Sequence, residues 1–227
     1  AGNNALVLWD GAKVVTAVDL GGGNDLLSVK LLNGSKVDLP DSVQGGDGYD
    51  RLNIFFNEGG NAAVSLAGIY GFETVTLETY RELQANMVVT GLSGLSSLEF
   101  YGPINVRVEA SVAPDMALDT GFKSLTIAAG SVVGRIGYNF PTYYDNPNPL
   151  DSKTLLNEGE IRGPVRLRDG DDLYDGRTGV VTGAVEGGAG NDVLTGGAGA
   201  DNVAGGVGIA ALQLCATVPG VTVTGSP

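Results

Sequence analysis

The sequence predicts an all-β chain wound as a right-handed parallel β-helix, a β-solenoid with coils of about 20–27 residues. Segments of alternating apolar and polar residues recur at that interval, glycine supplies 37 of the 227 residues, and no stretch sustains a helical period. Alternation of period two is the pattern of a half-buried strand. Glycine at more than twice its usual share of about 7% provides the tight turns between strands. A unit this short cannot bury its own apolar face, so successive units must stack to make a core.

The first half carries the rhythm as GNDLLSV at 23–29, GYDRLNI at 48–54, GFETVTL at 71–77, GLSSLEF at 94–100 and GFKSLTI at 121–127, spaced 25, 23, 23 and 27 residues apart. Leu52 and Ile54, Val75 and Leu77, Leu98 and Phe100, and Leu125 and Ile127 are the inward positions that this alternation predicts. In the second half, NEGEIRGPVRLRDGDDLYDG at 157–176 lies without a gap over RTGVVTGAVEGGAGNDVLTG at 177–196, matching Gly170 with Gly190 and Asp172 with Asp192. Between the halves, the interval from Gly121 to Gly170 spans 49 residues, close to two coils with an insertion. The prolines and Asn-Pro steps in YNFPTYYDNPNPLDS make regular strand unfavourable there. The chain therefore reads as one continuous solenoid: coils over 1–137, an inserted Pro/Tyr-rich loop over 138–156, Gly-Asp coils over 157–213, and a tail over 214–227 without a motif. Trp9, in the strand-like ALVLWD, is expected in the core or plugging the end.

The sharpest chemical signal is the nonapeptide G-G-x-G-x-D-x-apolar-x. It stands intact as GGDGYDRLN at 45–53, GGAGNDVLT at 187–195 and GGAGADNVA at 196–204, with partial copies LGGGNDLLS at 20–28 and LRDGDDLYD at 167–175. Gly and Asp favour turns for their own reasons, so one copy alone is ambiguous. A phosphate loop does not fit, because no copy leads into a helical pattern or the required Lys. Here the chain resembles the RTX (hemolysin-type) calcium-binding repeat family, with β-roll turns near the C-terminus. Its longer rhythm is similar to the passenger solenoids of autotransporters and large secreted adhesins.

The resemblance implies Ca2+ as the cofactor, shared between loops on one edge of neighbouring coils. Calcium takes six to eight hard oxygens, and glycine lets a turn present its carbonyls beside the carboxylate. On that basis Asp25 and Asp50 face one another with carbonyls of Gly21, Gly23, Gly46 and Gly48, and Glu73 closes the row. Ser96 and Lys123 occupy the next two places, so the middle of the chain is expected to be metal-free. A second row sets Asp172 over Asp192, with Gly170, Gly188 and Gly190 around them. Asp201 falls on the opposite edge, and GGVGIAALQ at 205–213 keeps the glycines but has Ala210 in place of the acid.

With 26 acidic and 13 basic side chains and no histidine, the formal charge of -13 argues against nucleic acid or an anionic membrane as partner. The lone Cys215 forms no internal disulfide, which leaves metal as the staple for a chain in an oxidising exterior. No apolar run approaches the roughly 20 residues that span a bilayer. The opening Ala-Gly-Asn-Asn is not a signal peptide, so the chain is expected to be mature or part of something longer. The expectation is an extracellular, calcium-binding structural or adhesive segment of a larger secreted or cell-surface bacterial protein, with no catalytic residues. The rival is a polysaccharide-active β-helix, lyase- or epimerase-like, or its carbohydrate-binding module. Its best cluster is Arg162, Arg166 and Arg168 beside Asp169, Asp171 and Asp175, which also reads as an exposed charged face. Tyr138, Phe140, Tyr143 and Tyr144 on the insertion are candidates to stack on a surface glycan or to meet another protein, a second copy included. The same rings equally suit packing down over an interrupted coil.

Overall fold

Alternation puts every second side chain of each predicted strand on one face, and the chain uses that face to build a stack. The computed structural model describes residues 2–10, 17–34, 36–38, 42–80, 84–92, 95–137, 152–197, 202–213 and 222–224, and none of them is helical. The strands form a 13-stranded sheet, a 9-stranded sheet and a 3-stranded sheet. In the largest, Ala5–Trp9, Leu26–Leu31, Arg51–Phe56, Thr74–Thr79, Ser97–Tyr101, Val112–Leu118 and Val132–Ile136 lie side by side in chain order. Pairing is parallel throughout, which requires the chain to travel around the core before each strand is laid beside its predecessor.

Register shows how far the chain advances per coil. Leu27 pairs with Leu52, Leu52 with Val75, Val75 with Leu98, Leu98 with Leu118, Val165 with Val185 and Val185 with Val203, giving steps of 25, 23, 23, 20, 20 and 18 residues. All of these side chains are buried, so they form one aliphatic ladder up the core. Across from it in the 9-stranded sheet, Ala62, Met87, Val106, Leu125, Leu155, Tyr174 and Leu194 make the second ladder. Each buried aliphatic in such a stack stabilises by roughly 1.5–3 kcal/mol relative to exposure. The stacking runs on across 138–151, since Leu125 pairs with Leu155.

Three expectations need correcting. The shortest described step is 18 residues, just below the predicted 20, from Leu118 to Ile136 and again from Val185 to Val203, where two tandem nonapeptides of nine residues fill the interval. The segment 121–127 does not continue the series begun at 23: Leu125 pairs with Val106 in the 9-stranded sheet, whereas Leu98 belongs to the 13-stranded one. Both sheets have the same alternation, so the pattern of one strand does not say which sheet it joins. Trp9 is neither core nor plug, being 62% exposed, because Leu6 and Leu8 take the core side and period two turns Trp9 outward.

The early coils have three sides, since Val18–Asp19, Val43–Gln44 and Ile69–Tyr70 form the small third sheet. Tyr138, Phe140, Tyr143, Tyr144, Asp201 and Cys215 lie outside the described residues.

Candidate metal centre

A Gly-Asp loop turns a corner between two strands, and the conformations it needs explain its composition. Second and fourth positions of the nonapeptide have positive φ in the loops at 20–28, 45–53 and 187–195: Gly21 and Gly23 at 93° and 133°, Gly46 and Gly48 at 112° and 140°, Gly188 and Gly190 at 120° and 140°. Values this far into the right half of backbone space strain any residue with a Cβ. Loops also sit directly on one another. The Asp47 N–H donates to the Gly21 carbonyl at 2.9 Å, and the Ala189 N–H to the Arg168 carbonyl at 3.2 Å. Carbonyl oxygens of Gly21 and Gly23 point at the Cα positions of Gly46 and Gly48 above them, leaving no room for a Cβ. The glycines thus let successive loops approach closely, with backbone carbonyls between them.

The sixth-position acids line up through backbone hydrogen bonds. Asp50 accepts from the Asp25 N–H at 2.7 Å, and Glu73 accepts through Oε2 from the Asp50 N–H at 2.7 Å. In the second row, Asp192 accepts from the Asp172 N–H at 3.0 Å. In each of these three rungs one carboxylate oxygen is engaged in this way, Oδ1 of Asp50 and Asp192 and Oε2 of Glu73. Asp25, Asp50, Asp172 and Asp192 are each at most 2% exposed. Among the described residues, the buried side-chain oxygens without a partner are the Oδ2 atoms of these same four aspartates. A buried polar atom left unsatisfied costs about 1–3 kcal/mol, and more when charged. Four such atoms at equivalent places are of the donor type that a hard divalent ion takes.

The rows occupy different corners. Asp25, Asp50 and Glu73 precede strands of the 13-stranded sheet, whereas Asp172 and Asp192 precede Leu173–Asp175 and Val193–Thr195 of the 9-stranded sheet. Lys123 therefore does not follow Ser96 in one row. Ser96 takes the next place in the first row, because Val75 pairs with Leu98 and so sets Glu73 beside Ser96. Lys123 stands in the second, because Ser124 pairs with Thr154 and Thr154 with Leu173. Among the described residues no group of three or more acidic, histidine or cysteine side chains converges. Any ion would accordingly take one carboxylate per loop together with backbone oxygens. Ala210 takes the place after Asp192, and its loop keeps positive φ at Gly206 and Gly208. The loop shape follows the glycines and survives loss of the acid.

Several participants carry no obvious sequence signal. Asn4 stands below Asp25, its N–H donating to Asp25 Oδ1 at 2.6 Å; GNNALVL against GNDLLSV was the available clue. Asn24 accepts from the Tyr49 N–H at 3.1 Å and Asp171 from the Asn191 N–H at 2.7 Å, so fifth-position side chains also link the loops. Arg168 fills a second position with φ at 74°, a place the motif reserves for glycine. Lys153, buried below Asp172, was not legible as a row member at all. Two of the arginines considered for catalysis are in surface ion pairs, Arg162 with Glu160 at 2.7 Å and Arg166 with Glu186 at 3.1 Å.

Burial pushes the Asp172 carboxyl up to about 6, opposed by the bond from the Lys153 N–H and the Lys153 charge and reinforced by Asp192 and Asp171. Burial raises Asp192 as well. A carboxyl whose folded pKa exceeds its unfolded value of about 3.9 favours folding when protonated. Without metal, stability should therefore fall as pH rises from about 4 through 6, by on the order of 1–2 kcal/mol for Asp172 after solvent screening. Glu78, Glu99 and Asp119, also raised by burial, act in the same direction. Asp175, lowered by Arg177, acts oppositely but only below its ordinary value of about 4. Melting in chelator across this range, compared with Asp172→Asn, isolates the row; a variant with the same pH slope as the parent would contradict the assignment.

The RTX calcium-binding nonapeptide repeat (4 copies) family model matches residues 184–209. That stretch contains the Asp192 loop and the tandem copy after it. No curated protein and no solved structure matches the chain. The loops at 20–28 and 45–53 lie outside the matched stretch yet repeat its backbone conformation and its orphaned carboxylate oxygens.

Proposed function

From the premise that residues 184–209 are an RTX calcium-binding repeat carried on a β-solenoid, we propose that calcium bridges neighbouring Gly-Asp loops in both acidic rows and thereby makes the chain a stiff structural or adhesive segment of a larger secreted or cell-surface protein. The observation that carries this is the set of partnerless, buried Oδ2 atoms on Asp25, Asp50, Asp172 and Asp192. When bound, calcium supplies the positive charge that allows these carboxylates to stay ionised side by side. The chain's part is to hold them: Oδ1 is tied to the neighbouring rung, so Oδ2 is pre-oriented, and glycines keep the surrounding carbonyls close. Gly21, Gly23, Gly46 and Gly48 serve the first row, and Gly170, Gly188 and Gly190 the second. Glu73, exposed at its end, closes the first row through Oε2.

Among the described residues no helix is long and apolar enough to cross a membrane. Calcium titration by calorimetry tests the bridging. Asp172→Asn with Asp192→Asn should abolish the second row's binding and leave the first, and Asp25→Asn with Asp50→Asn the reverse. Equal heats from parent and both double variants would refute it. The polysaccharide-active alternative rests on Arg162, Arg166 and Arg168. Depolymerisation of a polysaccharide, lost on altering Arg168, would favour it over glycan or protein adhesion.

A further inference from the structure

We propose that Lys153 ends the second calcium row with its own ammonium group, standing in for an ion and so setting where calcium binding begins. This rests on the bridging reading above. By its backbone Lys153 is a rung like any other: its N–H donates to Asp172 Oδ1 at 2.7 Å, as the Asp172 N–H does to Asp192. The pairing of Ser124 with Thr154, Thr154 with Leu173 and Leu173 with Val193 stacks Lys123, Lys153, Asp172 and Asp192 in one column. The Lys153 side chain is only 6% exposed. Its Nζ donates to the Asp169 carbonyl at 3.0 Å and lies 3.9 Å from Asp172 Oδ1. A loop carbonyl and a row carboxylate are the two kinds of oxygen an ion takes between loops. An ammonium is tolerated at this depth only when paired, and Asp119, Asp172 and Asp192 supply the opposing field.

The first row opens in a parallel way. Asn4 donates its N–H to Asp25 Oδ1 at 2.6 Å, and its side-chain Nδ2 donates to the Leu20 carbonyl at 2.6 Å. Each row thus starts on a rung where a side-chain nitrogen meets a carbonyl of the loop above. Asn4 is neutral, whereas Lys153 also neutralises a carboxylate. The coil ending at Asp175 is therefore folded without calcium and provides the platform on which the calcium-dependent coils from Asp192 onward assemble.

Two substitutions in the full chain test this. Lys153→Met keeps the length and removes the charge; in chelator, amides of 154–157 and 173–175 should exchange about tenfold or more faster than in the parent, while calcium stoichiometry stays the same. Lys153→Asp converts the rung into an acidic pair with Asp172 and should bind one calcium more than the parent. Unchanged exchange for Lys153→Met, or no added ion in a folded Lys153→Asp, overturns the proposal. Should Lys153→Asp not fold, the exchange measurement on Lys153→Met decides alone. A parent that binds no calcium at all refutes the bridging reading and leaves the exchange result to stand on its own.

Discussion

Alanine at Gly188 is expected to unfold the C-terminal coils with or without calcium. Gly188 has φ at 120°, and a Cβ there would be driven into the Arg168 carbonyl oxygen of the loop beneath. Backbone strain of this kind costs about 1–3 kcal/mol, and overlap with an immovable carbonyl adds at least a comparable amount. The total, roughly 4 kcal/mol or more, is a large part of the 5–15 kcal/mol by which domains are stable. Gly46→Ala should behave alike, since its Cβ would meet the Gly21 carbonyl. Gly21 is the internal control: it holds the same loop position at φ 93°, but nothing lies within 4 Å of an added Cβ. Gly21→Ala should cost the strain alone. Arg168, likewise in the first loop of its row, shows that a side chain is accommodated at this position. Denaturant melts in which Gly188→Ala and Gly21→Ala lose equal stability would show that close stacking of loops is not what selects glycine.

Chelating calcium at neutral pH is expected to lower the melting temperature by about 10–30 °C and to split the transition. A ligand present at a hundred times its dissociation constant stabilises by about 2.7 kcal/mol per site. In a chain of this size each kcal/mol moves the midpoint by about 2–4 °C, so two or three bridged rungs account for the range. Splitting follows from the quasi-one-dimensional stack, in which coils without bound metal melt without taking the rest with them. The coils between the rows, with Ser96 in the first column and Lys123 in the second, should keep their melting point. The loss should shrink on acidification through about 6, where Asp172 becomes protonated and no longer needs the ion. Identical melts in chelator and in excess calcium would remove the physical basis of the reading.

Much of the site was legible because it repeats. Asp25, Asp50, Asp172 and Asp192 were marked by the nonapeptide, and among the described residues they are the four buried aspartates with a partnerless oxygen. Glu73 was found by spacing alone, and its bond to the Asp50 N–H places it on the same row. Lys153 was not, because it falls within 138–156, read from the sequence as an inserted loop, has no glycine loop before it, and sits 19 residues from Asp172 in a stretch with no motif. Lys123 was read into the wrong row because GFKSLTI resembles its predecessors in pattern while entering the other sheet.

From sequence alone came the class of fold, the inward ladder and the identity of the acids, since period-two alternation and the demand of loops for glycine are local properties that no distant contact alters. Tertiary structure alone decided which sheet each strand joins, that the two acidic rows turn different corners, and that each aspartate ties down one oxygen and strands the other. Those facts depend on which residue of the next coil lies overhead, and that register is set by how the whole stack closes its core.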